Sequence, residues 1–268
     1  MREQADSLRA QAMAALAVPS WQDKLAAVAA LDDHATVGAD CALAPPDGLP
    51  GRPARPELVP PARVRQRSVQ TEAGRAALLH ALAHIEFNAI NLALDAIWRF
   101  SGLPDLFYRD WLKVAREEAY HFDLLNRHLG RLGHGYGDFP AHNGLWEMAE
   151  KTRDDLLARL ALVPRTLEAR GLDASPLIRD KLAQAGDAEG AAILDIILRD
   201  EIGHVAIGNR WYRHFCALQG RDPLSTYAEL ARHYGAPRLR GPFNLQARRE
   251  AGFDEAELDA LQRQAPDA

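Results

Sequence analysis

The sequence predicts an all-α protein organised around an antiparallel four-helix bundle, and three observations carry that expectation. From Thr71 to about Gly220 apolar residues recur every three or four positions. Runs of alternating Val, Ile and Thr, which would signal strands, are lacking there. Clusters of Gly and Pro divide the segment into four long stretches.

The four helices are expected near 72–100, 105–129, 144–171 and 188–219. Gly102 and Pro104 end the first and force a short turn, so the first two helices are expected to be antiparallel neighbours. Gly130, Gly133, Gly135, Gly137 and Pro140 mark a longer crossover to the third. Pro164 lies inside the third helical pattern and is expected to kink it, with a break as the alternative, because its ring clashes with the carbonyl four residues earlier and removes one hydrogen bond. Ser175-Pro176 and Gly186-Asp187 bracket one or two extra helical turns before the fourth helix.

Short helices flank this domain. Residues 5–16 and 20–31 carry helical spacing of Ala, Leu and Val, and Ser20 followed by Asp23 reads as a capping signal. Seven prolines between Ala44 and Pro61 exclude helix and favour an extended connector. Downstream, Asp222 or Ser225 caps a short helix ending before Gly235, a Pro- and Arg-containing loop follows, and 254–264 form a last amphipathic helix. The expected organisation is therefore an N-terminal helical extension at 1–43, a Pro/Arg-rich linker at 44–70, the bundle at 71–220, and a C-terminal helical extension packed on it at 221–268.

The chain has 268 residues, enough to bury a core without staples, and its two cysteines, Cys41 and Cys216, suit a reducing cytosol better than a disulfide scaffold. The polar start MREQADSLRA lacks a signal-peptide run, and the strongly apolar stretch near Ala191–Leu198 is too short to cross a bilayer. A cytoplasmic protein without a membrane partner is expected. The net charge of −5 gives no overall preference for nucleic acid. Arg52, Arg55, Arg63, Arg65 and Arg67 read as a solvated basic linker rather than an anion-binding strip.

The acids fall where a core should be. Glu86 sits amid Leu79, Leu82, Ala83, Ile90, Ala93, Leu94 and Ile97 on the first helix. Glu118 and His121 share a face with Trp111, Val114, Ala115, Phe122 and Leu125. Glu168 lies among Leu157, Leu160, Ala161, Pro164 and Leu167, and Glu201 and His204 among Leu194, Ile197, Leu198, Val205 and Gly208. Burying unpaired carboxylates costs several kcal/mol apiece, so these groups must be protonated, paired or metal-bound. Two divalent cations would balance four carboxylates and leave two neutral imidazoles to complete the shell.

Spacing supports metal binding over a merely polar core. Glu118-x-x-His121 and Glu201-x-x-His204 each project two ligands from adjacent turns of one face. Glu86 precedes Glu118 by 32 residues and Glu168 precedes Glu201 by 33, and Arg116-Glu117-Glu118 parallels Arg199-Asp200-Glu201. This reads as an internal repeat of two helix pairs, each giving one lone Glu and one Glu-x-x-His. His80, His84, His128 and His214 fall off the ligand faces and read as surface or packing residues, and Tyr120, Trp98, Trp211 and Tyr212 as core or rim.

This ligand pattern resembles that of the ferritin-like carboxylate-bridged di-iron proteins over roughly residues 72–219. More narrowly, AHIEFNAINLALDAIWRF, EEAYHFDLL, YGDFPAHNGLWEMAEKT, RTLEARGLDASP, ILRDEIGHVAIGNRW and GPFNLQARREAGF resemble an uncharacterised bacterial ferritin-like family, domain of unknown function 455. The resemblance implies a ferritin-like bundle in which Glu86 and Glu168 are terminal carboxylates, Glu118 and Glu201 bridge two metals, and His121 and His204 bind one each. It also implies that Glu117 and Asp200 hold the histidine of the other half, although both equally suit helix-surface charge pairs.

Three function classes follow. The first is an oxidoreductase in which two Fe(II), or two Mn(II), activate dioxygen or peroxide toward an unknown organic substrate, with an electron donor as partner. Bacterial tRNA-modifying di-iron hydroxylases are similar, but the acidic charge argues against a nucleic-acid partner. The second is iron oxidation and storage, which the long terminal additions disfavour. The third is a non-catalytic bundle stabilised by metal. Oligomeric state is not readable from the sequence.

Overall fold

A computed structural model describes residues 6–65 and 67–264 and shows an all-α protein, with no strand among the described residues beyond one isolated bridge between Leu58 and Ala141. Ala5, where the first helix was expected to begin, and residues 265–268 of the expected C-terminal extension lie outside the described residues. The chain divides into two units, Met1–Trp146 and Glu147–Ala268.

In the first unit α1 (Leu8–Ala17) and α2 (Trp21–Ala29) precede a 3-10 turn at Pro61–Arg63 and the long helices α3 (Glu72–Arg99) and α4 (Asp105–Arg131). Ser20 caps α2 by accepting from the Asp23 amide, and Thr71 caps α3 by accepting from Gly74. Gly102 turns the chain at φ 71°, and the Tyr108 hydroxyl closes the α3–α4 hairpin by donating to the Phe100 carbonyl at 2.8 Å. α3 and α4 then pack along their lengths, with α1 against α3 and α2 against α4.

α3 also corrects an expectation. Its best 18-residue window has mean hydropathy 1.3, so it, and not the stretch near Ala191–Leu198, is long and apolar enough to cross a bilayer. Of that window 72% is buried inside the protein, and every residue from Glu86 to Trp98 is buried, as befits a helix enclosed in a core.

Two buried cations bind the N-terminal helices to α3. Arg9 donates to the carbonyls of Gly38, Ala39, Cys41 and Trp98. The Lys24 ammonium, fully buried, donates to the Leu16 carbonyl at 2.7 Å and to Asn91 Oδ1 at 2.8 Å. Both meet carbonyls at helix C-termini, where positive charge is favoured.

α5 (Gly144–Lys151) spans the boundary between units. The second unit continues with α6 (Leu156–Leu162), a π turn at Val163–Glu168, α7 (Ala169–Gln184), α8 (Ala188–Leu218), α9 (Pro223–His233), α10 (Leu245–Glu250) and α11 (Glu255–Gln264). Gly186 at φ 81° and the Asp187 cap make the α7–α8 hairpin. Asp222 caps α9 on Ser225, as the sequence suggests.

The third expected helix, 144–171, is not continuous. It breaks between Lys151 and Leu156, where Asp155 caps a new start, widens into a π turn at Pro164, and runs on to Gln184. Pro176, expected to mark the start of one or two separate helical turns, sits inside α7. Proline there leaves the Leu172 carbonyl without its helical donor, and the Asn244 amide supplies one at 3.2 Å. The same Asn244 caps α10, a helix the sequence reading assigned to loop, by accepting from Ala247.

Two stability predictions follow from these contacts. Asn244→Ala should lower unfolding free energy by about 1–2 kcal/mol, from a lost cap and a stranded carbonyl. Adding Pro176→Ala should recover part of that loss in urea denaturation, because it restores an N–H opposite Leu172. Burial, followed by the nearby Arg52 charge, pushes the Lys24 ammonium down to about 7 from 10.5. Between those values the unfolded chain binds more protons, so stability should rise from pH 7 to 9. Lys24→Met should flatten that rise in urea midpoints measured at pH 7, 8 and 9.

Candidate metal centre

Glu86 enters the site from the enclosed part of α3, flanked by buried Ala83, Phe87 and Ile90. Glu118 and His121 enter from α4, both fully buried one helical turn apart. His121 Nδ1 lies 3.4 Å from Glu118 Oε2 and 3.6 Å from Glu86 Oε2. One ligand atom from each of the three residues falls within 4.8 Å of the others, and Glu86 Oε2 makes no hydrogen bond among the described residues.

The electrostatics of this trio are coupled. Burial, reinforced by the Glu118 carboxylate, pushes Glu86 well above the ordinary carboxyl range, while His121 pulls the other way. Burial alone would pull His121 down, but Glu118 and then Glu86 outweigh it and hold the imidazolium up at about 11. A buried trio of two carboxyls and one imidazole thus keeps a positive charge in its midst. A cation of higher charge fits the same donors, since carboxylate and imidazole together suit iron, manganese or zinc.

In the second unit α8 buries Glu201 and His204 on one face, with His204 Nδ1 3.7 Å from Glu201 Oε1. Glu168, also buried, is the last residue of the π turn. That turn docks closely on α8: a Cβ on Gly208, one helical turn beyond His204, would come within 2.6 Å of Pro164 Cβ. Gly208 is therefore needed for close approach. Each unit accordingly buries one lone glutamate and one Glu-x-x-His pair. Glu117 accepts from Lys113 at 2.7 Å and Asp200 from Arg199 at 2.8 Å, both contacts of the helix surface.

The off-face histidines are packing groups at three of four positions. His80, His84 and His128 are buried and His214 is exposed. Burial pulls His80 and His84 down to about 4, so both are neutral near pH 7. His84 Nδ1 meets the Tyr136 hydroxyl at 2.9 Å and Nε2 meets the His142 carbonyl at 3.1 Å. Trp98, Trp211 and Tyr212 are core, while Tyr120 is half exposed. Sequence reading missed the buried cations Arg165 and Arg248. The available signal was Arg165 directly after the apolar run from Leu160 to Pro164.

A family model described as "Protein of unknown function (DUF455)" matches residues 10–259. A protein of Haemophilus influenzae bearing the name "Uncharacterized protein" is 53% identical over 224 residues, covering 81% of this chain and 78% of the relative. No solved structure matches.

In chelator-treated protein the raised His121 imidazolium has a definite pH signature. Its interaction with Glu118 and Glu86 stabilises the fold fully below pH 6.5 and is lost as pH rises through about 11. Histidine NMR should show one imidazole protonated at pH 9, and Glu118→Gln should bring that titration down toward the ordinary range.

Proposed function

The chain belongs to the DUF455 family, whose description assigns no reaction, and from its residues we propose that it is a di-metal oxidoreductase that reduces dioxygen or peroxide. The observation that carries the proposal is the buried convergence of Glu86, Glu118 and His121, with a second buried Glu-x-x-His pair and lone glutamate in the other unit. In this reading the two hairpins carry the ligand pattern of a ferritin-like protein. Glu86 and Glu168 would be terminal ligands, Glu118 and Glu201 would be shared between the ions, and His121 and His204 would hold one each. Two divalent ions neutralise the four carboxylates and answer the cost of burying them.

An iron pair supplies the redox change that reduction of dioxygen or peroxide requires, with manganese as the alternative for so oxygen-rich a donor set. The protein's own residues set the conditions. His121 Nδ1 faces Glu118 and Glu86 and gives up its proton in order to ligate. Buried Ala83 and Ile90, one helical turn either side of Glu86, and Ala115 and Phe122, one turn either side of Glu118, make the surroundings of the carboxylates apolar. Six side chains, two of them shared, would leave room on each ion for oxygen or an organic substrate, whereas a structural site is closed by protein ligands. An electron donor completes the cycle, and the free thiols Cys41 and Cys216 suit a cytoplasmic setting.

Metal analysis of protein from iron-replete cells should give two ions per chain. Glu118→Ala and Glu201→Ala should each abolish binding of the pair, and Glu86→Ala should leave one ion. Anaerobic protein loaded with two Fe(II) and mixed with oxygen in stopped flow should develop ferric absorbance. No oxidation over minutes, with equal stability in zinc and iron forms, would identify a metal-stabilised bundle instead. Uptake of many irons per chain after oxidation would identify storage.

A further inference from the structure

The π turn at Val163–Glu168 is an unusual place for a buried carboxylate. A π turn inserts one residue relative to the α-helix, so everything after it is rotated by about 100° about the helix axis. Glu168 owes its direction to that extra residue. The turn keeps wide backbone bonds of its own, the Ala169 N–H reaching the Pro164 carbonyl, but Pro164 has no N–H to donate and the Ala161 carbonyl accepts from the Thr166 hydroxyl at 2.8 Å.

What spans the turn comes from far along the chain. Arg165, buried within it, donates Nε to Asn209 Oδ1 on α8 and Nη2 to Glu257 on α11. Its guanidinium lies 4.2 Å from the Tyr212 ring centre and 5.2 Å from that of Phe253. Glu257 is fixed in its own right. It accepts from the Asp254 amide at 3.0 Å while Asp254 accepts from the Glu257 amide at 2.9 Å, a reciprocal cap, and it also binds Arg213. Asn209 donates to the Ala251 carbonyl at 2.7 Å. Immediately after the turn, Arg248 of α10 donates to the Ala169 carbonyl at 3.3 Å and to Asp173 at 2.6 Å. Ala247 and Ala251 pack in one apolar cluster with Ala169 and Val205, the neighbours of Glu168 and His204.

We propose that the segment Asn244–Glu257 is a clamp that fixes the register of the π turn, and that Arg165 is the positioning residue through which it aims Glu168. The metal part of this inference rests on Glu168 being a ligand, as argued above. Arg165 does not touch the metals in this scheme. It fits the task because a planar fork reaches Asn209 and Glu257 at once, which an ammonium cannot.

The test uses the full chain titrated with Mn(II), followed by EPR and by amide hydrogen exchange. Wild type should bind two Mn(II) as a spin-coupled pair. Arg165→Met should bind the second ion about 10- to 100-fold more weakly, the cost typical of losing a residue that orients a ligand, and should show the six-line signal of isolated Mn(II). Affinity for the first ion should be unchanged. Arg165→Lys should lie between the two, and Glu257→Gln, which keeps shape and removes charge, should repeat the defect if Arg165→Met does not fold. The amides of 163 and 165–169 should exchange faster in each variant than the rest of α7 and α8. Wild-type binding of both ions with unchanged exchange at 163–169 would overturn the clamp, as would uniformly faster exchange across the unit, which marks a general loss of stability. If wild type binds no metal pair, the di-metal reading fails and the exchange measurement still decides whether Arg165 holds the turn.

Discussion

Ionisable groups set into apolar helix faces govern the rest of this structure. A carboxylate taken out of water without a partner costs several kcal/mol, comparable to the net stability of a whole domain. The first unit places Glu86 and Glu118 around a single fully buried imidazole, inside a helix pair whose α3 is enclosed on all sides from Glu86 to Trp98. Such a cluster persists only if its charge is balanced locally. The raised His121 and Glu86 values describe one way to do so with protons, and a divalent cation is another.

The flanking segments use charge in a second, structural manner. The short flanking helices are tied in through buried basic side chains as well as apolar contacts. Arg9 gathers the 38–41 loop and the end of α3, and Lys24 joins α1 to Asn91. In the second unit Arg248 ties α10 to the Ala169 carbonyl and to Asp173, and Arg165 ties α11 through the Glu257 carboxylate. These groups are satisfied by several acceptors each, which is the condition for keeping a charge inside at all. They are also why the N- and C-terminal segments bear on the helices that carry the buried glutamates: Lys24 reaches α3 five residues from Glu86, and Arg248 reaches the residue after Glu168.

Much of the architecture was legible because its causes are local. The 3.6-residue periodicity placed α3, α4 and α8 within a few residues, Ser20 and Asp222 announced their helices through caps, and the two Glu-x-x-His pairs stood out because charge interrupts an apolar stripe. Helical geometry alone then brings Glu118 to His121 and Glu201 to His204, since residues three apart share a face. Tertiary structure decided what local rules leave open. Pro176 remains helical because Asn244, distant in sequence, takes the carbonyl that proline frees, and a reading confined to neighbours must stop the helix there. Pro164 widens the chain into a π turn where α8 offers Gly208 to receive it, and the direction of Glu168 follows from that turn and from the groups packed over Arg165. Periodicity and capping depend on residues one turn apart and are written in order along the chain, whereas a freed carbonyl, a widened turn or a buried guanidinium is stable only when a partner tens of residues away completes it.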